Sequence, residues 1–421
     1  VAHASRNYST AFILFIALLF SPGSLAAQAT EGTIPQEGSA HSRREILEKW
    51  RVAKLDSLRP PSQNSLEKTL VYIEENRIMD RLRYGYHHFF PAVGGLTTGS
   101  GMALGVRYAN PDLLENSQVH LSAIWSFLGY EQYSGAVSTT PWRSLPLVLG
   151  ATARYRDFPQ EDFYGVGPDT RLSDETNYRL EDFRGGGEVK LMIVPGLSVA
   201  GELVYQKSRT AAGTSDESPT VGEIFESEDA TGYSENIEHR IVGTRLALDL
   251  RDVANNPRSG IGVFIDHTLF DDSDSDRFSY QSTSTEFQGY LPFLHKHRVF
   301  ALRVRAATTQ GREGGDVPFY HLPYIGGGQS VRGFREYRFR DRRQLLANLE
   351  YRFEAFIGCD VALFADAGQV GDSWDVFTFE DFVTSNGVGL RFNTYQNVFL
   401  RLDLAHGKEG TRFLFKFENA F

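Results

Sequence analysis

The sequence predicts an all-β fold, a transmembrane antiparallel β-barrel of about 16 strands, and three observations carry that reading. From Arg83 to Phe421 apolar and polar residues alternate with a period of two, the pattern of strands with one apolar and one polar face. The polar face is heavily charged, as suits a wall that lines water. Short turns alternate with long polar loops, so one rim is tight and the other elaborate. Composition agrees: aromatics make up 13% of the 421 residues and methionine is scarce at 3, a profile that favours strands. The formal net charge of -10 argues against a nucleic-acid partner, because phosphate neutralisation needs a basic surface. A single cysteine, Cys359, excludes an internal disulfide and a cysteine metal cluster.

The chain opens with Arg6 ahead of the apolar run "AFILFIALLF" and a small-x-small site at Ala27-Gln28-Ala29. Residues 1–29 therefore read as an export signal, the run being shorter than the roughly 20 residues of a membrane-spanning helix. Residues 30–82 read as a linker and a helical leader. Ser42 with Glu45 forms a capping box, and Ile46, Trp50 and Ala53 follow on one face. Asn64 and Glu67 repeat the device before Leu66, Leu70 and Ile73, and Pro60-Pro61 separates the two stretches.

Residues 83–421 form the barrel domain. Ala347, Leu349, Tyr351, Phe353 and Ala355 alternate with Asn348, Glu350, Arg352 and Glu354; Val242, Leu246, Leu248 and Leu250 share a strand with Arg245, Asp249 and Arg251. Tight turns are expected at Pro195 to Leu197, at "IGCD" and at "NTYQN", and long loops at Thr210 to Glu238 and Thr309 to Arg342. The length holds about 14 to 16 strands of roughly 9 to 11 residues, apolar faces to lipid and charged faces to a watery lumen.

Catalytic and metal chemistry find little support. "GGGQSVRGF" lacks the lysine of a phosphate loop and no helix follows it. No Gly-x-Ser-x-Gly elbow is present, and His120 beside Ser122, or His321 near the glycines, reads as an isolated hydrogen-bonding residue, so no enzyme is expected. "HKH" (His295 to His297) offers two imidazoles, and "DDSDSD" (Asp271 to Asp276) lacks the glycine and glutamate of a calcium loop. Neither a metal nor a cofactor is expected; the acidic run reads as a surface loop touching divalent cations at the lipopolysaccharide layer.

The final strand places Phe413, Phe415, Phe417 and Phe421 on one parity, facing lipid, and resembles the terminal β-signal of outer-membrane barrels. More specific is "GGGQSVRGF", followed by "RRQLLANLEYRF" and "VALFADAGQV". Together with "DFYGVGPDT" and "LDLRDVANNPRSGIGVF", it resembles the BamA/TamA superfamily, the bacterial surface antigen family of outer-membrane assembly and secretion barrels. The resemblance implies that the loop bearing Val331, Arg332, Gly333 and Phe334 folds into the lumen, with Arg332 reaching Phe364 and Asp366. Parity independently points Phe364 and Asp366 inwards, since Val361, Leu363 and Ala365 form the apolar face. Gly326, Gly327, Gly328 and Gly333 allow the sharp turns. Arg335, Arg338, Arg340, Arg342 and Arg343 are expected as solvated loop and lumen charges, with Glu350 and Glu354 as available partners. The implied function is insertion or export of proteins at the bacterial outer membrane, with lipid, lipopolysaccharide, client proteins or a periplasmic partner as contacts. Relatives carry periplasmic POTRA modules of βαα type, and residues 30–82 show no such pattern. A passive or gated pore, or a purely structural barrel, therefore stands as the alternative.

Overall fold

The computed structural model describes residue 72 and residues 88–421, apart from residues 98, 115, 140–145, 295, 395–396 and 418–420. The expected export signal and, Tyr72 excepted, the helical leader lie outside the described residues. In chain order the first strands are β1 (Phe89–Gly94), β2 (Ala103–Leu114), β3 (Ser117–Ser126), β4 (Glu131–Thr139), β5 (Leu147–Phe163) and β6 (Thr176–Val194). They continue with β7 (Leu197–Ala212), β8 (Asn236–Asp249), β9 (Gly260–Asp272), β10 (Tyr280–Phe293), β11 (Arg298–Gly311), β12 (Tyr324–Ile325) and β13 (Phe339–Arg340). The last are β14 (Arg343–Phe356), β15 (Cys359–Gly371), β16 (Val383–Asn393), β17 (Val398–Gly407) and β18 (Gly410–Lys416).

All but β12 and β13 join one 16-stranded sheet in which each strand lies beside its neighbour in sequence. The expected all-β barrel is the observed fold. A meander of this kind curls until its two ends meet and leaves no broad edge exposed. Here the ends approach at Gly94 of β1, where a Cβ atom would lie 3.2 Å from the Phe417 ring. Among the described residues, however, no backbone ladder joins β1 to β18.

The faces sort by chemistry. In β14, Asn348, Glu350 and Arg352 are buried, whereas Leu349 between them is 48% exposed. Leu203, Leu291 and Leu363 are likewise exposed on neighbouring walls, as side chains that meet lipid must be. Tight links such as Pro195-Gly196 and Ile357-Gly358 lie on one rim. The opposite rim carries the long loops after β7 and β11. The first of these contains a one-turn helix, α1 (Val221–Ile224), closed by a reciprocal Thr220–Glu223 capping box. Its Val221 packs with Phe163, Tyr178, Leu180, Ala230 and Phe319 into an apolar cluster at this end of the barrel.

Candidate functional site

The segment between β11 and β14 turns back through its own two-residue hairpin, Tyr324 and Ile325 pairing with Arg340 and Phe339. Its apolar residues Ile325, Val331, Phe334 and Phe339 pack with Leu346 of β14 and Val370 of β15. A charged loop thus enters the lumen around a small hydrophobic core, which offsets the entropy of ordering it. Gly326 takes φ +109°, and a Cβ there would meet the Arg335 carbonyl oxygen at 2.1 Å. Only glycine fits that turn. At Gly333 the constraint is space: a Cβ would meet Ser385 Cβ at 2.6 Å and the Gly407 nitrogen at 2.9 Å. The loop therefore rests directly on β16 and β17. Gly333→Ala is expected to push it off that wall and cost about 1–3 kcal/mol, seen as a lower temperature for loss of the compact, fast-migrating form in unboiled gels.

Arg332 is 1% exposed and meets both expected partners. Its Nε donates to Asp366 Oδ2 at 2.8 Å and its Nη2 to Asp366 Oδ1 at 2.6 Å, a bidentate fork. The backbone N–H of Arg332 adds a third bond to Oδ2 at 3.1 Å. Its guanidinium carbon lies 3.5 Å from the centroid of Phe364, so the same cation is also seated on an aromatic face. Asp366 is held in turn by Asn348 Nδ2 at 2.9 Å and Ser385 Oγ at 3.1 Å.

Around this contact lies a network that sequence reasoning did not resolve. Glu350 accepts from Arg332, from Arg352 Nε at 2.7 Å and from Arg391 Nη2 at 2.9 Å. Asp403 pairs with Arg391 and lies 3.3 Å from Arg401 Nε. All these side chains are nearly inaccessible, so every charge depends on its neighbours. Three further donors grip the loop by its main chain. Arg401 of β17 donates to the Gly328 carbonyl at 2.7 Å, Arg303 of β11 to that of Gln329 at 2.8 Å, and Asn348 of β14 to that of Ser330 at 2.8 Å. Three consecutive carbonyls are thus held from three strands. Gly328 suits this seat, since a Cβ there would lie 3.2 Å from the Arg401 guanidinium.

Of the other loop arginines, Arg338 and Arg340 are buried rather than solvated, and with Arg335 they find partners elsewhere than Glu350 and Glu354. Arg335 pairs with Glu175, and Arg338 with Glu409 at 2.6 Å and with Thr170. Arg340 stacks on Tyr337 at 4.3 Å. Glu354 is paired with His297 instead. Tyr164 lies under Arg338 at 5.0 Å, so the "DFYGVGPDT" segment reaches the loop tip through Tyr164 and Thr170. His321 bonds to Tyr280 and to Gln206 Nε2, and Ser122 bonds to Ser134 Oγ at 2.7 Å.

Phe413, Phe415 and Phe417 are 51%, 49% and 37% exposed, on the lipid side. Phe421 shares their parity but not their direction. Its ring lies 6.3 Å from Tyr290 and 5.4 Å from the Arg352 guanidinium, both inward-facing. The strand ends at Lys416, and beyond the ladder parity no longer dictates direction. Beside β1 lies a lumenal cavity of about 1700 Å³, lined among others by His88, Arg107, His120, Arg154, Thr394 and Asn397.

A model of the Omp85 superfamily domain matches residues 113–418. The chain belongs to the Omp85 superfamily. Among solved structures, BamA from Haemophilus ducreyi lacking POTRA domains 1-3 is similar with a TM-score of 0.59 at 17% identity, covering 79% of this chain and 69% of that one. CdiB from Escherichia coli gives a TM-score of 0.48 at 14% identity, over 79% of this chain and 60% of that one. No curated protein matches the sequence. This Omp85 chain is a β-barrel of the bacterial outer membrane, which accounts for the apolar belt outside and the ionic interior.

Proposed function

We propose that this Omp85 barrel inserts or exports protein chains at the outer membrane and receives its client at the junction of β1 and β18. The observation that carries this reading is the contrast between that junction and the rest of the wall. Among the described residues β1 has 6 and β18 has 7, whereas β5 to β11 have at least 13 each. Two short edges with no mutual ladder among the described residues present N–H and C=O groups that an incoming strand can satisfy. The ionic network and the seated loop hold β11 and β14 to β17 firm, so opening is least costly at the junction. Lipid and lipopolysaccharide contact the apolar belt.

The test is site-specific crosslinking in living cells from cysteines placed singly along β1 and β18, with identification of what is trapped. Nascent barrel or passenger chains at these positions support insertion or export. Empty junctions in a barrel that conducts ions support the pore reading instead.

A further inference from the structure

The link between β8 and β9 leaves its own hairpin and reaches another part of the same rim. Pairing continues past the strand ends, with Leu250 N–H bonding to Ile261 at 2.9 Å and Asp252 N–H to Ser259 at 3.0 Å. The tip, from Val253 to Arg258, then extends to β15 and to the β16–β17 link. In barrel order β8 and β9 are the eighth and ninth staves, and β16 and β17 the fourteenth and fifteenth, so the contact spans six staves. Asn255 forms a backbone bridge with Asn397, and its Nδ2 donates to Asn397 Oδ1 at 3.0 Å. Asn256 Nδ2 donates to the Thr394 carbonyl at 2.9 Å. Arg258 Nη2 grips Asp360 at 2.7 and 3.0 Å, and Asp360 is 2% exposed.

We infer that this segment is a releasable latch across the tight-turn mouth of the lumen, and that its detachment admits what enters from the periplasm. Three features favour a latch over a permanent brace. First, the segment is ordered from within. Asp252 accepts from the N–H groups of Val253, Arg258 and Ser259 at 2.9–3.1 Å and from Lys296 Nζ at 2.8 Å, so it keeps its shape without the far wall. Partial burial disfavours the Asp252 charge, but Lys296 and those N–H groups outweigh burial and hold its carboxyl at about 2. The order that this charge brings is fully present above the ordinary carboxylate range and is lost only as pH falls through that value. Second, the far contacts are polar, and Asn255 and Asn397 are not buried, so the bonds between those two exchange for water at small net cost; the bonds of Asn256 and Asp360, 4% and 2% exposed, are the ones that hold the latch shut. Third, Asp360 also accepts from Asn393 Nδ2 at 3.0 Å, so one hydrogen bond to it remains when Arg258 leaves. The landing residues Thr394 and Asn397 also line the cavity beside β1, so the latch stands at the threshold of that space.

The test is ion conductance of the full chain in planar lipid bilayers, which reads the latch whether or not a client protein exists. Asn255→Cys with Asn397→Cys, in a Cys359→Ser background, fixes the latch when oxidised. Oxidised protein is expected to lose its opening events and reduction to restore them. Equal conductance in both states, or failure of the pair to crosslink in a correctly folded barrel, overturns the inference. Arg258→Ala supplies the opposite perturbation: the pair it removes has a nearly buried carboxylate, so open probability is expected to rise at least about tenfold. An unchanged open probability in that variant contradicts a gating role.

Discussion

Arg332→Ala is expected to lower the unfolding free energy of the barrel by about 3–5 kcal/mol, the usual cost of removing one partner from a buried ion pair. Loss of the heat-resistant, fast-migrating form at lower temperature reads the effect. The reason lies in what remains behind: Asp366, 2% exposed, keeps Asn348 and Ser385 but loses its bidentate cation, and the Phe364 face loses the charge above it. Arg332→Lys is expected to recover little, because an ammonium cannot fork onto Asp366 while lying flat on a ring. A double-mutant cycle with Asp366→Ala isolates the pair, with a coupling of about 1–3 kcal/mol expected. Additive single effects would mean that the two residues act separately.

Glu350→Gln is expected to be at least as damaging. The interior here holds four guanidinium groups, Arg332, Arg352, Arg391 and Arg401, against three carboxylates, Glu350, Asp366 and Asp403, a balance of +1. Glu350 touches three of the four cations and is 0% exposed. The amide keeps the shape but leaves a balance of +2 in a space with little water, where like charges repel strongly. A loss of about 3–5 kcal/mol follows, together with loosening of the loop that Arg332 anchors. Trypsin offered to the folded protein checks this. Faster cleavage within Arg335 to Arg343 is expected in the variant, and unchanged protection would show that the loop is held without Glu350.

Much of the fold was legible because a membrane wall imposes a strict period of two on every strand, and a loop departs from it visibly. The inward direction of Phe364 and Asp366 followed from the same parity, and the partner for both came from the resemblance of the glycine-arginine segment. The rest was not legible, for physical reasons. The carbonyl grip on Gly328 to Ser330 uses donors on β11, β14 and β17 that lie 18 to 73 residues from the carbonyls they hold, and no local pattern marks a side chain that will bond to a distant main chain. Glu350 looked like any lumenal acid; only the closing of the barrel brings Arg391 to it from two staves away. Phe421 was misread because alternation was extended beyond the last hydrogen-bonded pair. The latch from β8–β9 was hidden for a related reason, since a rim turn reads as a local element and its reach appears only in three dimensions.

The junction of β1 and β18 carries the proposed activity, and its geometry allows a direct test. A Cβ at Gly94 would lie 3.8 Å from the Cβ of Phe417, within the range of about 3.5–4.5 Å that a disulfide spans. Gly94→Cys with Phe417→Cys, in the Cys359→Ser background, therefore staples the junction while leaving the lumen and the Arg332 network untouched. Appearance of folded outer-membrane proteins and surface passengers is measured in cells carrying the stapled barrel, before and after a membrane-permeable reductant. Assembly or export that stops when the staple forms and resumes on reduction is the expected result. Undiminished assembly and export through a fully stapled junction would contradict it.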